Sequence, residues 1–467
     1  MPLSQASGAI TVPLFGREPS ASRAHFRESL AQLAVISLVV LSIFSPPALM
    51  WDPNSFYLKW EVALLPLIFV TYGWLLLAGI VRKIQFNGMF VVGAVYTVAV
   101  ALSIWYGSAM LGQAMVLRDF YEFPKLWLPV AFFTLAYEAQ LSEAGLRRLL
   151  SFFAATLLLM CLYAWGQWAG LGYANWLDNI YVAPEHSQRG LLYARRVYST
   201  LGNPNLLGML MTWSAAAFLL AAMLRVDRQA RNIGMFLACV VTLVMTGSRY
   251  GLLTAAFAIL LVAASSFASG RPRWSRLVVP LALLTLFASA IFLVSSANQR
   301  TLERLQTLQA PTETDSFRGR VDRLWLDALD SFSQSPILGR GPAKTVFEGI
   351  VTDSEYLDVL KKFGLLGFVA YLAYFLFPLF LIWRGMRTAR RASPELEERI
   401  PATFLVLRLG FVMMVTALIM NIGMGTFYNA ILQGFFFLWI GLAAGAAQSI
   451  REASFRYPFS PKMECLG

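Results

Sequence analysis

The feature that most constrains this chain is a succession of apolar runs, each long enough to cross hydrocarbon. A helical crossing needs about 20 apolar residues. Such runs fall near 30–50, 61–81, 89–108, 120–138, 149–170, 206–224, 232–248, 251–269, 277–296, 365–383, 402–421 and 427–446. The expected fold is all-α, a polytopic membrane protein of about 12 transmembrane helices. The run at 120–138 is the weakest, because Arg118, Asp119, Glu122 and Lys125 crowd its start. Composition agrees: 14% of residues are charged, where a soluble protein carries about a quarter.

The first 29 residues are polar and lack an early apolar stretch, so a cleavable signal peptide is not expected and the first run serves as an anchor. An even number of crossings puts both tails on one side. That side collects residues 1–29, Arg82-Lys83, Arg147-Arg148, 225–231, 271–276, 384–399 and the tail 451–467, with 21 Lys/Arg against 10 Asp/Glu. The other side carries 16 of each, and Arg408 lies inside a run. Short basic loops stay cytoplasmic, so both termini are expected inside. The pI of 9.7 then reflects topology and not nucleic-acid binding. Residues 30–450 form the membrane domain between two cytoplasmic tails.

Two loops are long, 171–205 and 297–364, and both fall outside. Loops beyond about 15 residues are usually functional or disordered. The second one carries Val321, Leu324, Trp325, Ala328 and Leu329 at helical spacing, which predicts an amphipathic helix. The segment 353–363 is expected to lead directly into the next span. The ends, 1–22 and 457–467, read as flexible tails. Cys161 and Cys239 lie in apolar runs and Cys465 in the tail, where packing is the expected role.

Chemistry is sought among the outer arginines. Arg195 and Arg196 precede the Gly202-Asn203-Pro204-Asn205 turn, and Arg249 sits in a connection so tight that it must lie at the membrane's outer edge. Arg318, Arg320, Arg323 and Arg340 occupy the larger loop. Guanidinium groups are planar, permanently charged and bidentate toward phosphate oxygens; gathered at the outer interface they suit a lipid-linked pyrophosphate. A lone loop arginine such as Arg323 or Arg340 is better explained by ordinary headgroups or nearby carboxylates. Arg249 is not, since a charge wedged between two spans is costly unless something uses it. Arg408, two turns from the cytoplasmic end of its run, is expected to snorkel.

Residues 352–367 admit two readings. Thr352 and Glu355 fit a helix capping box with Asp353 in the first turn; alternatively, Asp353 or Glu355 takes a proton from an acceptor hydroxyl. The two histidines, His25 and His186, lie in different compartments, so a zinc site is not expected. With no P-loop or dinucleotide fingerprint, ATP-driven and redox readings have no foothold.

These residues, in this order, resemble the O-antigen ligase and O-antigen (exopolysaccharide) polymerase superfamily of membrane glycosyltransferases. The resemblance covers about 190–370: Arg196 to Asn205 (RVYSTLGNPN), Ser248-Arg249 with Gly251, Arg320 to Gly341 with its PxxGxG pattern, and Ser354 followed by Gly364 to Gly367. The resemblance implies a cofactor-free, metal-independent transferase in the bacterial inner membrane with its active site facing the periplasm. The donor would be an undecaprenyl-pyrophosphate-linked glycan and the partner substrate an acceptor glycan, with a chain-length regulator as a further candidate partner. It makes Arg195, Arg196, Asn205, Arg249, Arg320 and Tyr356 substrate-binding residues and Asp353 and Glu355 catalytic. Ligases of the family carry histidine where this chain has Asp353; Asp353 with Ser354 and Tyr356 is more similar to the polymerases. Rival readings are an O-antigen ligase, a flippase for lipid-linked glycan, another transporter, or a non-catalytic partner in envelope assembly.

Overall fold

The apolar runs fold as helices. The computed structural model describes residues 21–44, 88–181, 196–267, 319–342, 352–392, 394–425 and 430–456. In it the chain forms α1 (Ala21–Phe44), α2 (Gly88–Ala109), α3 (Glu122–Ala139), α4 (Glu143–Ala169), α5 (Gly172–Tyr181), α6 (Pro204–Met223) and α7 (Gln229–Met245). It continues with α8 (Arg249–Phe267), α9 (Leu326–Gln334), α10 (Glu355–Arg391), α11 (Pro394–Arg399), α12 (Pro401–Met420) and α13 (Ala430–Arg456). No strand occurs among the described residues, and the chain is an all-α polytopic membrane protein. Among those residues six helices are long and apolar enough to cross a bilayer: α2, α4, α6, α10, α12 and α13. The apolar parts of α1, α7 and α8 are shorter. The charged run at 120–138 forms α3 but is not one of the six. The runs at 61–81 and 277–296 lie outside the described residues.

Helices α6 and α13 lie at the centre, with 89% of the apolar stretch buried in each, against 39% for α2 and α10. The uncovered faces of these two are still apolar: Val91, Val95, Val98 and Trp105 on α2, and Val369, Leu376 and Phe380 on α10, are exposed. A helix that is apolar all round and uncovered on one side is suited to lipid. Lipid tails give no hydrophobic drive to pair helices, so small residues and interhelical hydrogen bonds carry the packing. A Cβ on Gly251 of α8 would sit 3.3 Å from Gly208 Cα of α6, and Thr212 Oγ1 donates to Gly251 O across the same contact (3.1 Å). Trp213 Nε1 donates to Thr416 Oγ1 (3.0 Å), tying α6 to α12.

Two faces result. One gathers the helix ends that meet the long loops, where Arg196 contacts Thr246 and Glu355 contacts Asn421. The other gathers the arginines of 147–148, 228–231, 384–391 and 451. There Glu143 caps α12, its carboxylate accepting from Ala402 N (2.9 Å) and Thr403 N (3.1 Å), as an anion at a helix N-terminus should. Arg408 reaches toward this face as expected but does not snorkel into water. It is buried, with Nη2 3.2 Å from Glu397 Oε2 on α11, because α11 folds a carboxylate over the end of its span.

The segment 353–363 leads directly into a span within α10, with a break at Gly364, where φ is 62° and ψ −165°, a region essentially confined to glycine. The segment 336–341 splints the break. Leu365 N donates to Pro336 O (2.8 Å) and Leu366 N to Ile337 O (3.1 Å), while Lys361 O accepts from Arg340 N (3.3 Å) and Lys362 O from Gly341 N (2.8 Å). In an unbroken helix those two N–H groups would have bonded those two carbonyls. Ser103 Oγ of α2 locks the arrangement, donating to Lys362 O (2.7 Å) and accepting from Gly341 N (3.0 Å). The amide of Gln113, oriented to satisfy both groups, donates to Arg340 O and accepts from Arg340 Nε (3.1 Å).

The amphipathic helix predicted around 321–329 is present, but it is preceded by a π-helical turn over Arg320–Trp325. Ala328 and Ser331 are buried whereas Leu329 faces outward. The wider π turn resets the phase of the stripe, so Leu329 leaves it. Cys161 and Cys239 are buried free thiols, in keeping with a packing role; Cys465 lies outside the described residues.

Candidate functional site

The first limb of the site grows from the turn before α6. Asn203 caps that helix by accepting from Asn205 N (2.8 Å), with Pro204 in the first turn, so the GNPN element is a helix start. Gly202 takes φ 63° to turn the chain into it. This leaves the Asn205 side chain facing Arg196, whose Nη2 donates to Asn205 Oδ1 (2.9 Å) and whose Nε donates to Thr246 O (2.7 Å). Val197 N also donates to Met245 O (3.3 Å). The Arg196 segment is thereby strapped onto the turn between α7 and α8, and Ser248 Oγ accepts from Gly251 N (3.2 Å) at the head of α8. Arg249 opens α8 directly after this turn, half-buried. Arg196, Asn205 and the Arg249 turn are thus brought together. Arg195 and His186 lie outside the described residues.

Support for this limb comes from α4 and α5. Gln167 Oε1 accepts from Tyr198 N (3.1 Å) and Ser199 N (2.9 Å), and Gln167 Nε2 donates to Asp178 (2.6 Å), which also accepts from Tyr163 Oη (2.7 Å). Burial, and then the Asp178 carboxylate, push the Tyr198 phenol up, so it stays a neutral packing group.

The second limb is the start of α10, seated on the end of α12. The capping box at Thr352 does not form. Ser354 is the N-cap, its Oγ accepting from Leu357 N (3.5 Å), and Thr352 Oγ1 instead accepts from Lys361 Nζ (2.9 Å). Asp353 therefore precedes the cap and is half-buried. Glu355 N donates to Asn421 O (3.0 Å), and the fully buried Asn421 donates from Nδ2 to Tyr371 Oη (3.1 Å). Tyr356 Oη donates to Leu418 O (2.7 Å), which turns this residue toward α12. The Arg320 backbone lies in the π turn, and its side chain is outside the described residues.

Beneath Glu355 is a cavity of about 40 Å³, lined by Glu122, Lys125, Asp358, Lys362 and Gln433 among others. That volume holds a few waters and no sugar. Opposite charges meet in and beside it: Lys362 and the neighbouring Lys361, 1% exposed, both approach Asp358, and Lys125 lies 3.9 Å from Glu122.

The two limbs are joined by the turn after α12. Gly423 packs flat on Tyr250, next to Arg249; a Cβ there would lie 2.4 Å from Tyr250 Oη. Two residues earlier, Asn421 holds Ser354 and Glu355. One short turn thus touches both the Arg249–Tyr250 limb, at the Tyr250 ring, and the Ser354–Glu355 limb. The sequence reading missed Asn421, Gln167 and the Asp358 pairs. The i, i+3 and i, i+4 spacing of Asp358 to Lys361 and Lys362 was a visible signal; Asn421 looked only like the end of an apolar run.

Residues 234–372 match the model of a family described as O-antigen ligase. The matched stretch includes Arg249, Arg320, Asp353, Glu355 and Tyr356. No curated protein matches the chain.

Proposed function

This chain belongs to the O-antigen ligase and polymerase superfamily, and we propose that within it the protein is a polymerase, joining undecaprenyl-pyrophosphate-linked repeat units at the periplasmic face of the bacterial inner membrane. Arg196, Arg249 and Arg320 bind the pyrophosphate of the donor, with Asn205 fixing the Arg196 fork and Arg195 adding charge. An acceptor sugar hydroxyl attacks the anomeric carbon; the bond from that carbon to the pyrophosphate oxygen breaks, and undecaprenyl pyrophosphate leaves. Asp353 or Glu355 takes the hydroxyl proton. No metal is assigned a part, the charge on the leaving group being met by guanidinium groups.

The observation that carries this reading is the turn at 421–423, which contacts the Arg249–Tyr250 limb through Gly423 and the Ser354–Glu355 limb through Asn421. The matched family, described as O-antigen ligase, favours a second reading, a ligase transferring glycan to lipid A-core or another acceptor. Asp353 supports the polymerase, in the position where the ligases resemble one another in carrying histidine.

Purified protein supplied with lipid-linked repeat units separates the readings. A ladder of lengthening products is expected. A single transfer to a core lipid would make the protein a ligase, and transbilayer movement without glycosidic product would make it a flippase.

A further inference from the structure

On the face opposite the site, α10 and α13 touch at Gly385, where a Cβ would lie 2.3 Å from the Cβ of Ala447. Past this contact the two helices and the end of α3 enclose a hollow lined by Tyr137, Arg384, Arg387, Thr388, Gln448 and Arg451. The Arg387 guanidinium lies over the Trp383 ring (4.8 Å to the centroid) and that of Arg384 over Phe380 (5.6 Å). Both rings are exposed on the lipid-suited flank of α10, the level at which aromatic side chains mark a membrane–water boundary.

Three guanidiniums around one hollow repel one another, and none of the three has a carboxylate ion-pair partner among the described residues. The nearby Glu452 accepts from Gln448 Nε2 (3.0 Å), and Gln448 Oε1 accepts from Tyr137 Oη (2.8 Å). The other basic cluster on this face behaves differently. Arg147 is shared between Glu143 and Asp227, and Arg231 is paired with Asp227, so two of its four arginines are met by carboxylates. A helix dipole accounts for Arg390 and Arg391 in the last turn of α10 but fades before Arg384 and Arg387. A positive-inside bias accounts for the presence of arginines, not for their convergence on one hollow between helices.

We propose that this hollow is a binding site for an anionic phospholipid of the adjacent leaflet. Its phosphodiester is held by Arg384, Arg387 and Arg451, and its acyl chain lies along Phe380 and Leu381. The full-length protein in phosphatidylcholine nanodiscs, with or without phosphatidylglycerol, tests it by native mass spectrometry of retained lipid.

Wild type should retain phosphatidylglycerol in preference to phosphatidylcholine. Combining Arg384→Gln, Arg387→Gln and Arg451→Gln should weaken retention roughly a hundredfold, each basic side chain at an anionic surface contributing about a fivefold factor. Thr388→Trp keeps all three charges and fills the hollow, and it should lose the lipid too; it decides the matter if the triple variant does not fold. Arg148→Gln with Arg228→Gln, on the other basic cluster, should change nothing. Retention unchanged in Thr388→Trp, or lost equally in the Arg148/Arg228 control, overturns the site. Displacement of the lipid by inorganic phosphate would make it a phosphate site and overturn the assignment to lipid.

Discussion

Gly339 and Gly364 each occupy the space the other's side chain would need: a Cβ on either would lie 2.5 Å from the backbone nitrogen of its partner. Both sit at positive φ, 69° and 62°. Between them the splint of 336–341 replaces the hydrogen bonds that the break in α10 removes, which holds the carboxylate-bearing turns of α10 at an angle to the spanning part.

Gly364→Ala should therefore destabilise the protein strongly. The backbone conformation alone costs about 1–3 kcal/mol in a residue with a Cβ, and the clash with Ile337 O, 2.4 Å away, adds to it. Thermal unfolding in detergent measures the loss. Leu365→Ala, at an outward position beside it, should unfold close to wild type. A Gly364→Ala protein as stable as wild type would mean the splint does not hold this geometry.

Arg249→Ala should abolish polymer in cells while the protein remains inserted at normal abundance. If the guanidinium stabilises charge developing on the leaving pyrophosphate, the rate falls on the order of a hundredfold or more. Arg249→Lys should recover only part, since an ammonium cannot bind two phosphate oxygens in one plane. Unchanged polymer length and yield in Arg249→Ala would remove it from the site.

The start of α10 separates catalysis from capping, because Ser354 and not Thr352 or Asp353 is the cap. Ser354→Ala should cost about 1 kcal/mol of stability with little change in rate. Asp353→Asn should leave stability near wild type; as the base its loss costs on the order of a hundredfold in rate. Glu355→Gln run in parallel shows which carboxylate carries the proton. Comparable activity in both carboxylate variants would leave proton transfer to another group.

Much of this fold is legible in the sequence because lipid imposes a length and a polarity that any helix must meet: the runs 89–108, 149–170 and 206–224 return as α2, α4 and α6 within a few residues, save the start of α4 at Glu143. Arg196, Asn205 and Arg249 are legible as a group because they share a face and a turn. What periodicity does not carry is pairing at a distance. The break at Gly364 depends on carbonyls of Pro336 and Ile337 some 29 residues away, counted from Leu365 and Leu366. Likewise the cap at Ser354 is selected by its contact with Asn421 O (3.4 Å), 67 residues on. Local sequence does not show the break and allows a cap at Thr352, and tertiary contacts set both.

The paired charges beside the site yield an asymmetric prediction. Asp358 lies between Lys361 (3.5 Å) and Lys362, with side chains 8%, 1% and 12% exposed respectively. Asp358→Asn takes away the carboxylate that both buried ammoniums approach, a change that costs about 3–5 kcal/mol where one partner of a buried pair is removed. Lys361→Met leaves Asp358 still paired with Lys362 and replaces a buried cation by an apolar chain of similar length, so its cost should be much smaller. Thr352, whose Oγ1 accepts from Lys361 Nζ (2.9 Å), loses that one donor. Urea unfolding of the two variants tests the ordering. Equal destabilisation would show that Lys362 alone does not compensate the Asp358 carboxylate.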